Sequence, residues 1–179
     1  MTTIADFKAQ LTGGGARANQ FRVSLIPPTL VAGAANAGRA IEFLCKAASL
    51  PASDITDIEV YYRGRPVHVA GERQFQPWQI TMINDTDFAI RDAMEAWSHL
   101  MVNYNATDGS TAPLEYQTDA IVYQLDRNGK ILKSYTFKDV WPMNVGDIQL
   151  SYEANQQIEE FPVTLQFNYF EPLRIAGAA

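Results

Sequence analysis

FPVTLQFNYFE, residues 161–171, sets Phe161, Val163, Leu165, Phe167 and Tyr169 on one face of an extended chain. Glu160, Thr164, Gln166 and Asn168 fall on the other. A period of two predicts a strand with one buried face and one wet face. Each buried apolar side chain stabilises the fold by about 1.5–3 kcal/mol before entropy is counted. The register is therefore fixed, because a slip of one residue would expose all five. Past Glu160 the wet face is short and neutral, where an ordinary solvated strand more often carries Lys, Arg or Glu.

Just upstream, VWPMNVGDIQLSY (140–152) places Trp141, Pro142 and Gly146 between two strand-like runs, KILKSYTF (130–137) and IQLSYEA (148–154). This predicts a structural corner. Trp141 anchors in the core, Pro142 fixes φ, and Gly146 permits the bend that redirects the chain between sheets. Further strands are expected at FRVSLI (21–26), within IEFLCKAASL (41–50), and at WQITMIN (78–84) and AIVYQLD (120–126). The last of these forms a hairpin with KILKSYTF around Arg127-Asn128-Gly129. IEVYYRGRPVHVA (58–70) reads as a second hairpin turning at Arg63, Gly64 and Arg65, edge-like because Pro66 cannot donate to a ladder.

Residues 86–104 carry Ile90, Ala93, Met94, Trp97, Leu100, Met101 and Tyr104 at helical spacing and predict the one clear helix. Asp85 or Thr86 would cap it, with Asp87 at the positive end of its dipole. Residues 1–20 read as a flexible N-terminal arm, 27–39 (PPTLVAGAANAGR) as an Ala/Gly/Pro-rich loop, and 172–179 as a C-terminal tail. Together these predict a mainly-β single domain spanning 1–179 with one helix packed on it.

Composition narrows the functional classes. Apolar residues make up 47% and charged residues 19% of the chain, as in an ordinary folded domain. No apolar run approaches the ~20 residues of a membrane span, and the N-terminus does not read as a secretory signal. The single Cys45 excludes an internal disulfide and fits assembly in a reducing cytoplasm. A net charge of −6 argues against a protein that grips nucleic acid, though not against one that lets it slide by. Residues 1–50 hold five bases against two acids, and residues 139–179 hold six acids against one base. Such an asymmetry suits head-to-tail assembly.

Candidate chemistry is thin. His68 alternates within a hairpin arm, His99 sits beside the helical stripe, and Cys45 reads as a small core residue. Asp85 and Asp87 are explained by capping. The glycines at 13–15 lack the strand–helix context of a phosphate loop, and no Cys/His cluster has zinc spacing. No enzyme, cofactor or metal is expected.

GARANQF (15–21), CKAASLP (45–51), VAGERQF (69–75), MIND (82–85), VWPMNVGDIQLSY and FPVTLQFNYFE, in that order, resemble the tail tube proteins of contractile-tailed bacteriophages of the T4 type. The resemblance spans roughly residues 15–171, and the segment around Trp141–Gly146 is its most specific piece. It implies a β-barrel-like sandwich with one flanking helix, whose strands join between six copies into a continuous barrel. Such rings stack into a hollow tube inside a contractile sheath and conduct viral DNA into the host. Implied partners are further copies, the tail sheath protein, the baseplate tube-initiator and tail terminator proteins, and tape measure protein and DNA held loosely in the lumen. The implied location is the virion tail, after assembly in the host cytoplasm. The long 27–39 loop and the short tail RIAGAA (174–179) depart from the pattern. Within this frame Thr164, Gln166 and Asn168 are expected to face the bore, and Arg63–Arg65 to reach a neighbouring ring. Alternatives are a tube-initiator, the tube of a related contractile injection system, and a monomeric β-sandwich binding module using Tyr61, Tyr62 and Trp78.

Overall fold

The computed structural model describes residues 3–11, 15–106 and 108–174. Tail residues 175–179, Gly13 and Gly14 lie outside them. Among the described residues nine strands, all paired antiparallel, build two sheets that share one long strand, plus a separate hairpin.

The decisive run splits into two strands, β8 (Glu160–Gln166) and β9 (Tyr169–Arg174). Phe161, Val163, Leu165 and Phe167 are buried as the alternation predicts. Tyr169 is not: it is 43% exposed, because it already belongs to the other sheet. The partner strand explains the split. β7 (Ile131–Val145) pairs with β6 (Thr118–Leu125) and β9 along its first part, then with β8 from Trp141 onward. The switch falls at Asp139, whose φ is +58°, and a register shift follows between Pro142 and Asn144. The chain thus changes sheets inside a single strand. The expected strand at 148–154 does not form, since β8 is already paired on both edges.

One sheet runs β1 (Phe21–Leu25), β6, β7, β9; the other runs β7, β8, β5 (Trp78–Ile83), β2 (Cys45–Ala48). The core lies against both. Trp78 stacks on Phe137 with ring centroids 4.5 Å apart, and Phe167 meets Phe137 edge-on at 5.1 Å.

The single expected helix is joined by others. α3 (Ala89–Met101) is shorter than predicted, and the left-handed Phe88 (φ +53°) precedes it with no side-chain cap from Asp85 or Thr86. α2 (Ala34–Leu44) occupies half of the expected 27–39 loop and the start of an expected strand. Its Ala34, Ala37, Gly38 and Ile41 are buried at helical spacing, so small residues that suggested a loop form a close-packing face. A Cβ on Gly38 would come within 3.0 Å of Ile26. α1 (Ile4–Gln10) lies in the expected flexible arm, started by a capping box: Thr3 N–H donates to the Asp6 carboxylate at 2.8 Å, and Asp6 N–H donates to the Thr3 hydroxyl. A short α4 (Pro113–Tyr116) accepts a hydrogen bond from Trp97 Nε1 at the Tyr116 carbonyl.

Candidate assembly surface

Three features of the second sheet stand out: its outer face, its edges, and the hairpin that leads into it. On the outer face Asn144, Thr164 and Gln79 lie side by side across β7, β8 and β5. Gln166 and Thr81 continue the same polar layer, while Trp78, Ile80, Met82, Phe161, Val163 and Leu165 point inward. Charge is confined to one end, where Lys46 Nζ donates to both Glu160 carboxylate oxygens at 2.6 and 2.8 Å. The structure therefore groups Thr164 and Gln166 with Gln79 and Asn144, which the sequence reading did not single out. Their signal was present, because WQITMIN alternates with the same period. Asn168 stands apart in the β8–β9 bend. Its Nδ2 donates to Asp139 Oδ2 at 2.8 Å, tying together the two places where strands change sheets.

Both edges of this sheet are open among the described residues. Nothing pairs with the outer side of β2, and β7 has no partner beyond Val140 on the side away from β8.

The hairpin is longer than expected: β3 (Ser53–Tyr62) and β4 (Arg65–Phe75) form a two-stranded ribbon. Arg63 (φ +47°) and Gly64 (φ +79°) make a two-residue turn with both φ values positive, the geometry that matches strand twist. Ile58, Val60, Val67 and Val69 share one half-exposed face. On the other, His68 Nδ1 meets Asp57 Oδ2 at 2.6 Å and the Tyr61 hydroxyl donates to Glu59. Arg63 lies over the Tyr62 ring.

Of the expected corner residues, Trp141 is half-buried and packs against the core, opposite Gln166, and Pro142 is buried inside β7. Gly146 serves close approach: its N–H donates to the Pro162 carbonyl at 2.8 Å, and a Cβ would fall 2.5 Å from Pro162 Cγ. Arg91 of α3 donates to the Gly146 carbonyl at 2.6 Å, pinning the strand end to the helix.

The other candidates are dispersed. Trp78 is 0% exposed, so Tyr61, Tyr62 and Trp78 do not assemble into a binding face. His99 stacks on Tyr104 and accepts from its backbone N–H. Burial pushes the Cys45 thiol up to about 11. Among the described residues no group of His, Cys, Asp and Glu could hold a metal ion, and no helix is long and apolar enough to cross a membrane.

By its geometry the molecule is a two-sheet antiparallel β-protein with unfinished edges and a projecting ribbon. The family model described as phage tail tube protein matches residues 16–172. The tail tube protein gp19 of Enterobacteria phage T4 is 34% identical over 161 residues, covering 89% of this chain and 93% of that protein. The tail tube protein of Serratia phage KSP90 is 28% identical over 173 residues, covering 96% of each. Among solved structures, the tube-terminating cap of the anti-feeding prophage shares the fold with a TM-score of 0.66 at 15% identity, covering 89% of this chain and 91% of that one. The chain belongs to the phage tail tube protein family.

Proposed function

We propose that six copies close into a ring by pairing the free edge of β2 in one copy with residues 141–145 of β7 in the next. The sheet β2–β5–β8–β7 carries this reading, because its two open edges run in opposite directions. Copies related by a rotation about the ring axis therefore meet antiparallel, and the alternation continues unbroken around a closed barrel. Closure removes the edges that would otherwise invite uncontrolled pairing.

In such a ring the inner face of the sheet is covered by its own core, so the polar layer of Gln79, Asn144, Thr164 and Gln166 faces the bore. Short neutral side chains offer phosphates no cation to bind, and a net charge of −6 repels them. DNA then passes without sticking. Rings stack through the β3–β4 ribbon into a hollow tube inside a contractile sheath, seeded by a baseplate initiator and capped by a terminator. Its place is the virion tail, after assembly in the host cytoplasm. The match to the T4 tail tube protein over most of both chains supports the reading. Negative-stain electron microscopy of the concentrated protein tests it: hollow rods or six-fold annuli are expected, and dispersed single particles, even with an initiator supplied, would refute it.

A further inference from the structure

The sheet β2–β5–β8–β7 is nearly bare of charge. Across β2, β5, β8 and residues 141–145 of β7 the sequence holds one base, Lys46, and one acid, Glu160. The two meet: Lys46 Nζ donates to both carboxylate oxygens of Glu160, at 2.6 and 2.8 Å. Glu160 belongs by alternation to the face of Thr164 and Gln166, since Phe161, Val163 and Leu165 are buried on the other.

β2 and β8 are not neighbours in this sheet, because β5 lies between them. Two strand spacings, about 10 Å, separate their backbones. Lys46 therefore reaches sideways across β5, and its amine lies along the sheet instead of pointing out from it. Register permits the reach: Cys45 pairs with Met82, and Glu160 pairs with Ile83, one residue further along β5. Stability does not account for the arrangement. The side chains remain 53% and 35% exposed, and an ion pair this open to water contributes little to folding. What the pair changes is charge, since the one cation of this surface is neutralised by a carboxylate of its own copy.

We infer that Glu160 shields Lys46 from the phosphates of passing DNA, so that no cation of this sheet is free to grip them. The inference rests on the reading in which this face lines the bore of a ring, and it adds a residue that sets what the bore does not bind. Glu160 is a positioning residue that acts through Lys46. In a closed ring the pair recurs six times at one level. Six unshielded amines around a duplex would neutralise phosphates and release their counterions, the main source of sequence-independent DNA affinity. Lys46 without Glu160 would brake transit, whereas Glu160 without Lys46 would only repel.

Assembled rods probed with a short duplex oligonucleotide, and particles followed during ejection, carry the test. Glu160→Gln should raise oligonucleotide affinity about tenfold at 50 mM salt and lose that gain by about 200 mM, because each added phosphate contact steepens the salt dependence. Genome ejection should slow in step. Glu160→Gln with Lys46→Gln should return both readouts to parent values, which a merely structural role of Glu160 would not allow. Lys46→Glu with Glu160→Lys keeps the pair with its members exchanged and should bind no better than the parent. Rods of Glu160→Gln that bind and eject as the parent does would overturn the shield. So would a Gln/Gln variant that stays slow, or tight binding by the exchanged pair. Gln166→Lys separates this outcome from the reading beneath it, since it sets a bare cation on the same face. Silence of Glu160→Gln beside stronger binding by Gln166→Lys removes the shield alone. Silence of both, or absence of rings from the unaltered protein, brings down the bore reading itself.

Discussion

Gly146 has no room for a side chain: a Cβ there would lie 2.6 Å from the Pro162 carbonyl oxygen as well as 2.5 Å from its ring. Gly146→Ala should therefore cost about 1–3 kcal/mol, read as a lowered thermal midpoint, because rigid backbone must shift. Sequence suggested a glycine needed for a bend; the need is instead for closeness, which no local pattern reports. The bend belongs to Asp139, a residue with nothing in its neighbourhood to mark a positive φ, held by Asn168 from the next strand. Cys45 yields a second residue-level outcome. Burial raises its pKa from 9.0 to about 11 in the folded chain, which therefore keeps a proton that the unfolded chain releases. That contribution to stability is complete below about pH 9 and is lost progressively between about 9 and 11. Denaturation midpoints should fall over that window for the parent protein, and the Cys45→Ala variant should lack this component. At pH 8 the thiol should react with an alkylating reagent about a hundredfold more slowly than in the unfolded chain, following its smaller thiolate fraction.

Among the elements, α2 depends on a face of small residues. Gly38→Val would press a branched side chain into Ile26 and should destabilise the fold by about 1–3 kcal/mol; pairing it with Ile26→Ala should recover part of the loss in chemical denaturation. The same helix shows why some elements were legible and others were not. β8 and β5 have strict alternation over six or seven residues, and α3 has a stripe of large apolar side chains; both patterns survive into the structure. In α2 the buried stripe is Ala34, Ala37, Gly38 and Ile41, and small residues carry so little hydrophobic contrast that composition suggested a loop. α1 had a readable capping box at Thr3–Asp6, but no buried face to confirm it. IQLSYEA alternates like a strand yet finds no partner, since pairing is a property of the sheet and not of the segment. The polar layer was half legible: Thr164 and Gln166 were named from one strand, whereas Gln79 and Asn144 join them only once register is known.

At the scale of the whole molecule, two kinds of contact are expected to respond differently to salt. In the proposed assembly, ring closure rests on backbone hydrogen bonds between strand edges, while stacking through the ribbon engages the exposed Arg63 and Arg65, whose charges are screened over about 10 Å at 0.1 M salt. Raising the salt should therefore release rings from rods before rings fall into single copies, visible as stepwise changes in sedimentation. In the proposed ring, where Gln166 faces the bore, Gln166→Lys should leave assembly intact but slow genome ejection by giving phosphates a cation; unchanged ejection would place Gln166 elsewhere. Edge pairing between copies is read most directly by hydrogen exchange on assembled and dissociated protein. Outward-facing amides of residues 46–48, of Trp141 and of residues 143–145 should exchange rapidly in single copies and become strongly protected in rings. Rings or rods whose two edges exchange as fast as those of the dissociated chain would contradict edge pairing outright.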